Sequence, residues 1–494
     1  MTPEPIDTSS ETAEISPLLY KNLDNDALQK EASQYLAHYG TEFLPDVICG
    51  AKGLYVYTAS GRKVLDWTSE IVQTINEHAA GLDHLFSGMI SPPVISLAER
   101  LCSLLPDGLD KAFFLSTGGE SNEAAIKMAK VFTGKFEIVG LGASWHIVPL
   151  TKRIIADALP KPSERNTTTG PIMPGMHMLP APNAYRSIFR KPDPDDNGSY
   201  QYDWEAELDY GWALIDQASC GSLAACIVEC VQSSAGMHVL PPGYLAALKR
   251  HCERRGMLLI VDEAQTGIGR SGAISAAATA TQAYKMGGGD GEGGRVIPDI
   301  LTFSKTLGNG LPLSAVVTRA EIDDACAATG SFTFYTTHAN DPLPAAVGNK
   351  VLEVVVRDGL VANARALGEG VLLAGLRARL QRRYACVGDV RGRGLMAGVE
   401  IVKAAVGHGS DDDGNGTGKR RRWRQPPDPD VELARRIADR AYALGVWANL
   451  SSHSSFSGTL RIAPPITSTR EDIERGLEIL EEAFASTSGS RPLY

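Results

Sequence analysis

From about residue 110 to 320 the chain repeats one alternation, a short apolar run of strand character followed by a segment of helical pattern. KAFFLS (111–116) precedes ESNEAAIKMAKVF (120–132), and LAACIVEC (223–230) precedes GYLAALKRHCERRG (243–256). MLLIVDEAQ (257–265) and DILTFSK (299–305) continue the series. Strands spaced by helices form a largely parallel sheet with helices on both faces, since parallel neighbours need a long crossover. The expected class is α/β. After about 360, LVANARALGEGVLLAGLRARL, VGDVRGRGLMAGVEIV and DIERGLEILEEAFA suggest a smaller α+β lobe. Near the N-terminus, GLYVYTASGRKVLDWTS (53–69) alternates apolar and polar residues around Ser60-Gly61, the pattern of a β-hairpin.

The length of 494 residues exceeds what one small core organises, so at least two lobes are expected. Residues 1–30 read as a polar arm, 31–75 as the N-terminal part of the small domain, 76–360 as the large domain and 361–494 as the C-terminal small domain. Two stretches look inserted: GGGDGEGG (287–294), and 407–430, which sets an acidic block beside KRRRWR. A net charge of −10 argues against nucleic acid or an anionic membrane as the main partner. The eight cysteines include no C-x-x-C pair, so neither a zinc framework nor a disulfide scaffold is suggested. The acidic, polar start lacks the features of a signal peptide or mitochondrial presequence, and no apolar run spans a bilayer. The expected compartment is the cytoplasm.

In open parallel sheets, ligands bind beyond the carboxyl ends of the strands. Three such ends carry chemistry here. FLSTGGESNEAAIK (114–127) runs from strand through Ser-Thr-Gly-Gly into a helix, which suits a phosphate cradle. A plain helix start capped by Ser116 or Thr117 fits equally. DILTFSKTLGNGLPLS (299–314) ends a strand at Ser304-Lys305, either a desolvated amine fit for a Schiff base or a surface lysine. MLLIVDEAQTGIGR (257–270) ends a buried strand on Asp262 and Glu263, and a buried carboxylate is costly without a positive partner. A metal pair or a structural cap would also account for these two acids. A group with a phosphate, an aldehyde and a protonated pyridine nitrogen fits all three ends together, and pyridoxal 5′-phosphate is such a group.

STGGESNEAAIKMAK, VDEAQTGIGRSG and SKTLGNGLP together resemble the class III, pyridoxal-phosphate-dependent aminotransferases of fold type I. LDHLFSGM, GASWH, YTTHANDPLPAAVG, VGDVRGRGLMAGVEIV and LRIAPPIT are similar to the 2,2-dialkylglycine decarboxylase branch of that family. The likeness covers most of residues 35–485. It implies a large cofactor-binding domain with a mostly parallel sheet, and a smaller α+β domain. By position, Lys305 would hold the cofactor aldehyde and act as acid and base. Asp262 would keep the pyridine nitrogen protonated, Gln265 would bond the phenolic oxygen, and Trp145 would stack on the ring. Thr117, Gly118 and Gly119 would cradle the phosphate, completed by Thr337 from a partner subunit, which implies a homodimer or a dimer of dimers. Arg461 would bind the substrate carboxylate, and Ser234 would supply an active-site hydroxyl. Leu85, Ser87, Thr337, Ala339 and Asp341 would ligate an alkali cation, potassium or sodium.

The implied reaction is decarboxylation of a 2,2-dialkylglycine, such as 2-aminoisobutyrate, coupled to transamination of pyruvate to L-alanine. Three positions depart from the pattern. Ile71 stands where the family usually has a Gln that helps hold the leaving carboxylate, and Gln73 would face the other way on a strand. The stretch after His146 (147–169) is rich in Lys, Arg and Pro rather than Gly and small residues, and Cys230 replaces a Pro after Glu229. The first two bear on decarboxylation more than on cofactor binding. Two alternatives follow: a class III aminotransferase acting without decarboxylation, and a catalytically impaired dimer of the same fold.

Overall fold

The computed structural model describes residues 24–35, 46–52, 55–65, 74, 78–79, 81–144, 146, 173–192, 200–280, 296–403, 426–450 and 458–487. Trp145, Ile71, Gln73, the 147–169 stretch, the 287–294 loop and most of the 407–430 insertion lie outside them.

After a helix at Asn25–Tyr35, strands β1 (Ile48–Lys52), β2 (Tyr55–Thr58) and β3 (Lys63–Leu65) form an antiparallel sheet. The expected hairpin is β2–β3, with Gly61 at φ 80° in its turn. The main sheet then begins with β4 (Lys111–Leu115), β5 (Glu137–Leu141) and β6 (Met176–Leu179). Two short strands, β7 (Arg190–Pro192) and β8 (Tyr200–Tyr202), pair beside it. It continues with β9 (Leu223–Glu229), followed by the small pair β10 (Val231–Gln232) and β11 (His238–Val239). Finally come β12 (Leu258–Asp262), β13 (Ile300–Phe303) and β14 (Ser314–Thr318).

The order is β4-β14-β13-β12-β9-β5-β6. All neighbours are parallel except at β14, which runs antiparallel to both β13 and β4. The physical reason is length: only ten residues, 304–313, separate β13 from β14, too few for a helical crossover.

Period-2 alternation sorts the strand residues between two apolar layers. Leu258 and Ile260 pack with Ala124, Ala125 and Met128 of the helix Gly118–Thr133 on one face. Leu259 and Val261 pack with Leu245 and Leu248 of the helix Tyr244–Arg255 on the other. A second, antiparallel sheet in the order β15-β16-β18-β17 is built from β15 (Val387–Gly392), β16 (Ala397–Ile401), β17 (Asn449–Leu450) and β18 (Thr459–Ile462). The helix Val431–Ala443 packs on it and the helix Arg470–Thr487 packs against that helix, giving the smaller α+β part. Among the described residues no helix is long and apolar enough to cross a membrane.

Candidate active site

A cavity of about 550 Å³ opens beyond the carboxyl ends of β4, β9, β12 and β13. Thr117, Gly118, Gly119, Ser234, Asp262, Gln265 and Lys305, drawn from four separate stretches of the chain, all line it. Glu229, Asp262 and Thr302 stand level on three adjacent parallel strands, so their side chains leave the same face of the sheet.

The helix Gly118–Thr133 starts at the cavity. Thr117 caps it: its hydroxyl accepts from the Glu120 N–H at 3.2 Å, while the Glu120 carboxylate accepts from the N–H groups of Thr117 at 2.8 Å and Ser116 at 3.0 Å. The capped-start reading is therefore met. It leaves the next N–H groups, at Gly118 and Gly119, at a helix terminus that faces the cavity. A Cβ on Gly118 would stand 3.2 Å from Ser304 Cβ and 3.4 Å from Ser304 Oγ, so glycine keeps this corner open.

Asp262 and Glu263 part company at the strand end. Glu263 turns into the protein, where it accepts from Ser275 Oγ at 2.7 Å, the Ala277 N–H at 2.9 Å and Thr266 Oγ1 at 2.5 Å, and so pins the following turn. Asp262 faces the cavity. Its Oδ1 accepts from the Ala264 N–H at 2.9 Å, and its Oδ2 accepts from Asn122 Nδ2 at 2.8 Å and from His146 Nδ1 at 3.0 Å. Burial works to raise the Asp262 carboxyl, but the hydrogen bond and charge of His146 outweigh it and hold the group below the usual carboxylate range. Burial likewise works against a charged His146, yet the Asp262 bond and charge push it above the usual imidazole value. Asn122 is itself clamped: its Oδ1 accepts from Thr302 Oγ1 at 2.6 Å, and its Nδ2 also donates to the His146 carbonyl at 2.5 Å.

Lys305 follows β13 at φ 47°, in the left-handed region that costs a non-glycine residue backbone energy. Lys305 is exposed and lines the cavity. Arg461 lies on β18, between Gly398 and Asn449, and does not line the cavity. Its guanidinium is largely buried, which lowers its affinity for the proton, while the nearby Glu229 carboxylate at the cavity wall works the other way. Thr337 is exposed and is likewise not part of this chain's own cavity. The segments holding Leu85, Ser87, Thr337, Ala339 and Asp341 do meet: Leu343 N–H donates to the Asp83 carbonyl at 3.4 Å, and Asp341 bonds His84.

Asn122 and Glu229 also line the cavity, and neither was assigned a role from the sequence. For Asn122 a signal existed, since it stands four residues after Gly118 and therefore on the same helix face.

A family model described as aminotransferase class-III matches residues 36–484. The chain is 42% identical over 478 residues to an uncharacterized aminotransferase of Schizosaccharomyces pombe, covering 94% of this chain and 96% of that one. It is 30% identical over 424 residues to an alanine/serine racemase of Pyrococcus horikoshii, covering 85% and 78% respectively. Among solved structures it is similar to an amine transaminase from an uncultivated Pseudomonas species in its PLP-bound form, with 27% identity and a TM-score of 0.72. That likeness covers 92% of this chain and 99% of the other.

Proposed function

The chain belongs to the class III aminotransferase family, with the fold type I architecture, and from that premise we propose that it moves an amino group between a small amino acid and a 2-oxo acid, using pyridoxal 5′-phosphate held in the cavity described above. One observation carries the reading: a buried carboxylate kept ionised by a buried histidine, facing the same cavity as an exposed lysine amine. The S. pombe relative is named an aminotransferase, and the racemase relative is named for alanine and serine, which supports a small donor.

The residues present suit the cofactor. The open corner at Gly118 and the helix N-terminus behind it suit a phosphate, and Asp262 suits a protonated pyridine nitrogen. When bound, the group supplies an exchangeable aldehyde and an electron sink for the carbon carrying the amino group. Lys305 would hold that aldehyde and carry protons at Nζ. Asp262 would hold the ring proton, its oxygens fixed by Asn122 and His146. Thr117, Gly118 and Gly119 would hold the phosphate. Gln265 would bond the phenolic oxygen, Trp145 would serve the ring, and Ser234 would supply a hydroxyl to the substrate. Arg461 would receive a substrate carboxylate, in competition with Glu229. Thr337 would complete the phosphate cradle of a partner subunit, which makes a homodimer the proposed working unit.

A second reading makes the donor step a decarboxylation of 2,2-dialkylglycines, with an alkali cation near Leu85, Ser87, Thr337, Ala339 and Asp341. Its support is that the two sequence runs most particular to it, around His84 and Asp341, are spatial neighbours. Incubation with 2-aminoisobutyrate and pyruvate tests both readings. Release of CO₂ with alanine favours the second; amine transfer from other donors, with no CO₂ from any dialkylglycine, leaves the first alone. Protein that neither gains the colour of bound cofactor nor is tagged at Lys305 by borohydride sinks both.

A further inference from the structure

We propose that His84, His338 and Asp341 form a site for a divalent ion of the zinc class, outside the cavity that this chain's own residues line. Among the described residues, no other three His, Cys, Asp or Glu side chains bring their donor atoms so close, all within 4.8 Å of one another. His84 Nδ1 lies 2.6 Å from Asp341 Oδ1, and His338 Nδ1 lies 2.6 Å from Asp341 Oδ2. The two imidazole rings converge with centroids 5.0 Å apart.

The backbones carrying these donors are fixed. Asn340 exchanges two hydrogen bonds with Phe114 at the end of β4, both 3.0 Å, one from its backbone N–H to the Phe114 carbonyl and one from the Phe114 N–H to its side chain. Asp341, which is buried, caps the helix Pro342–Arg357, and the first turn of that helix bonds the Asp83 carbonyl beside His84. The Asp83 side chain in turn accepts from the His84 N–H at 2.8 Å. The donors are thus held by a sheet end and a helix start.

The donor set decides which ion. Two imidazole nitrogens and one carboxylate oxygen suit zinc, cobalt or nickel, whereas magnesium and calcium prefer oxygen alone. Around a tetrahedral zinc, donors about 2.0–2.1 Å from the metal stand roughly 3.3 Å apart. The donors now lie within 4.8 Å of one another and the two imidazoles meet different oxygens of Asp341, so an ion would draw them to that spacing through rotation of the Asp341 carboxylate and the two exposed rings. Three protein donors leave a fourth position for water or an outside ligand. Occupancy takes up the Asp341 carboxylate, so a zinc-class ion and an alkali ion that needs the same carboxylate exclude one another.

The test is a titration of the full chain, loaded with its cofactor and freed of divalent ions, with Co²⁺ as a coloured stand-in for Zn²⁺. The expected result is visible ligand-field bands that saturate at one ion per chain, vanish on adding Zn²⁺ and are untouched by Mg²⁺. His84→Gln and His338→Gln should each weaken binding at least about tenfold, and the double variant should abolish the bands. Equal Co²⁺ binding by the wild type and the double variant overturns the site, as does a wild type without bands. A second measurement needs no substitution: diethyl pyrocarbonate modification of His84 and His338, mapped by mass spectrometry, should slow when Zn²⁺ is present. Unchanged labelling of both rings counts against the site just as firmly.

Discussion

His146 donates from Nδ1 to Asp262 Oδ2 across 3.0 Å, with both side chains buried in the floor of the cavity. The pair gives a pH signature. The Asp262 carboxyl is held below its ordinary value of about 3.9, so its contribution to stability is present above that value and is lost as pH falls through the depressed one. The His146 imidazole is held above about 6.5, so its contribution is complete below that value and is lost as pH rises through the raised one. The charged pair therefore stabilises most between about pH 4 and 6.5. His146→Asn should lower the melting temperature of the cofactor-free protein more at pH 6 than at pH 9. An identical loss at both pH values would mean that the pair carries no charge.

Gly118→Ala should weaken cofactor binding without unfolding the chain. The added Cβ would meet Ser304 at 3.2–3.4 Å, tighter than side-chain carbons tolerate without movement. Overpacking of this kind costs about 1–3 kcal/mol, so an affinity loss of about tenfold or more is expected in an equilibrium titration with pyridoxal phosphate. Because the obstruction is the Ser304 side chain, Gly118→Ala/Ser304→Gly should recover much of the loss. Failure to recover would place the conflict with the phosphate itself.

These two predictions differ in how far the sequence alone leads to them. Asp262 and Lys305 were legible because each ends an apolar strand, and a parallel sheet brings such ends together whatever the details of packing. The antiparallel β14 was not read from the strand–helix rhythm, since ten residues of Gly-rich turn look like any other connection until their length is weighed. Asn122 escaped notice because a polar residue in a helix is by default a solvent-facing one. Only the docking of that helix on the sheet turns it inward, onto Asp262 and Thr302. The separate fates of Asp262 and Glu263 were illegible for a related reason. Adjacent residues at a strand end leave on opposite faces, and which face holds the cavity is a property of the assembled layers.

Asn122→Leu should be costly out of proportion to its size. The substitution keeps the branching at Cγ but strands the Thr302 hydroxyl and the His146 carbonyl, and removes one of the two side-chain donors to Asp262 Oδ2. Buried groups left without partners cost about 1–3 kcal/mol each. A stability loss of about 2–4 kcal/mol is expected from urea unfolding, with kcat for amine transfer falling more than KM rises. Thr302→Val, which removes only the outermost link, should cost less. A neutral Asn122→Leu would show that the clamp on Asp262 is redundant.

Arg461 tests which group receives the carboxylate of the substrate. Its guanidinium is largely buried on β18, its Nε has no hydrogen-bond partner, and the Glu229 carboxylate on the cavity wall acts on its charge. An incompletely satisfied buried cation beside a ligand cavity is poised to exchange one carboxylate for another. Arg461→Leu should therefore raise KM for a 2-oxo acid, with kcat/KM falling about 10- to 150-fold, the worth of a charged hydrogen bond at roughly 1.5–3 kcal/mol. An amine donor without a carboxylate should be hardly affected. Glu229→Gln should act in the opposite sense, lowering KM for the 2-oxo acid because Arg461 then has no competing anion. If Arg461→Leu depresses turnover of carboxylate-bearing and carboxylate-free donors alike, the arginine serves the fold of the small sheet and the carboxylate binds elsewhere.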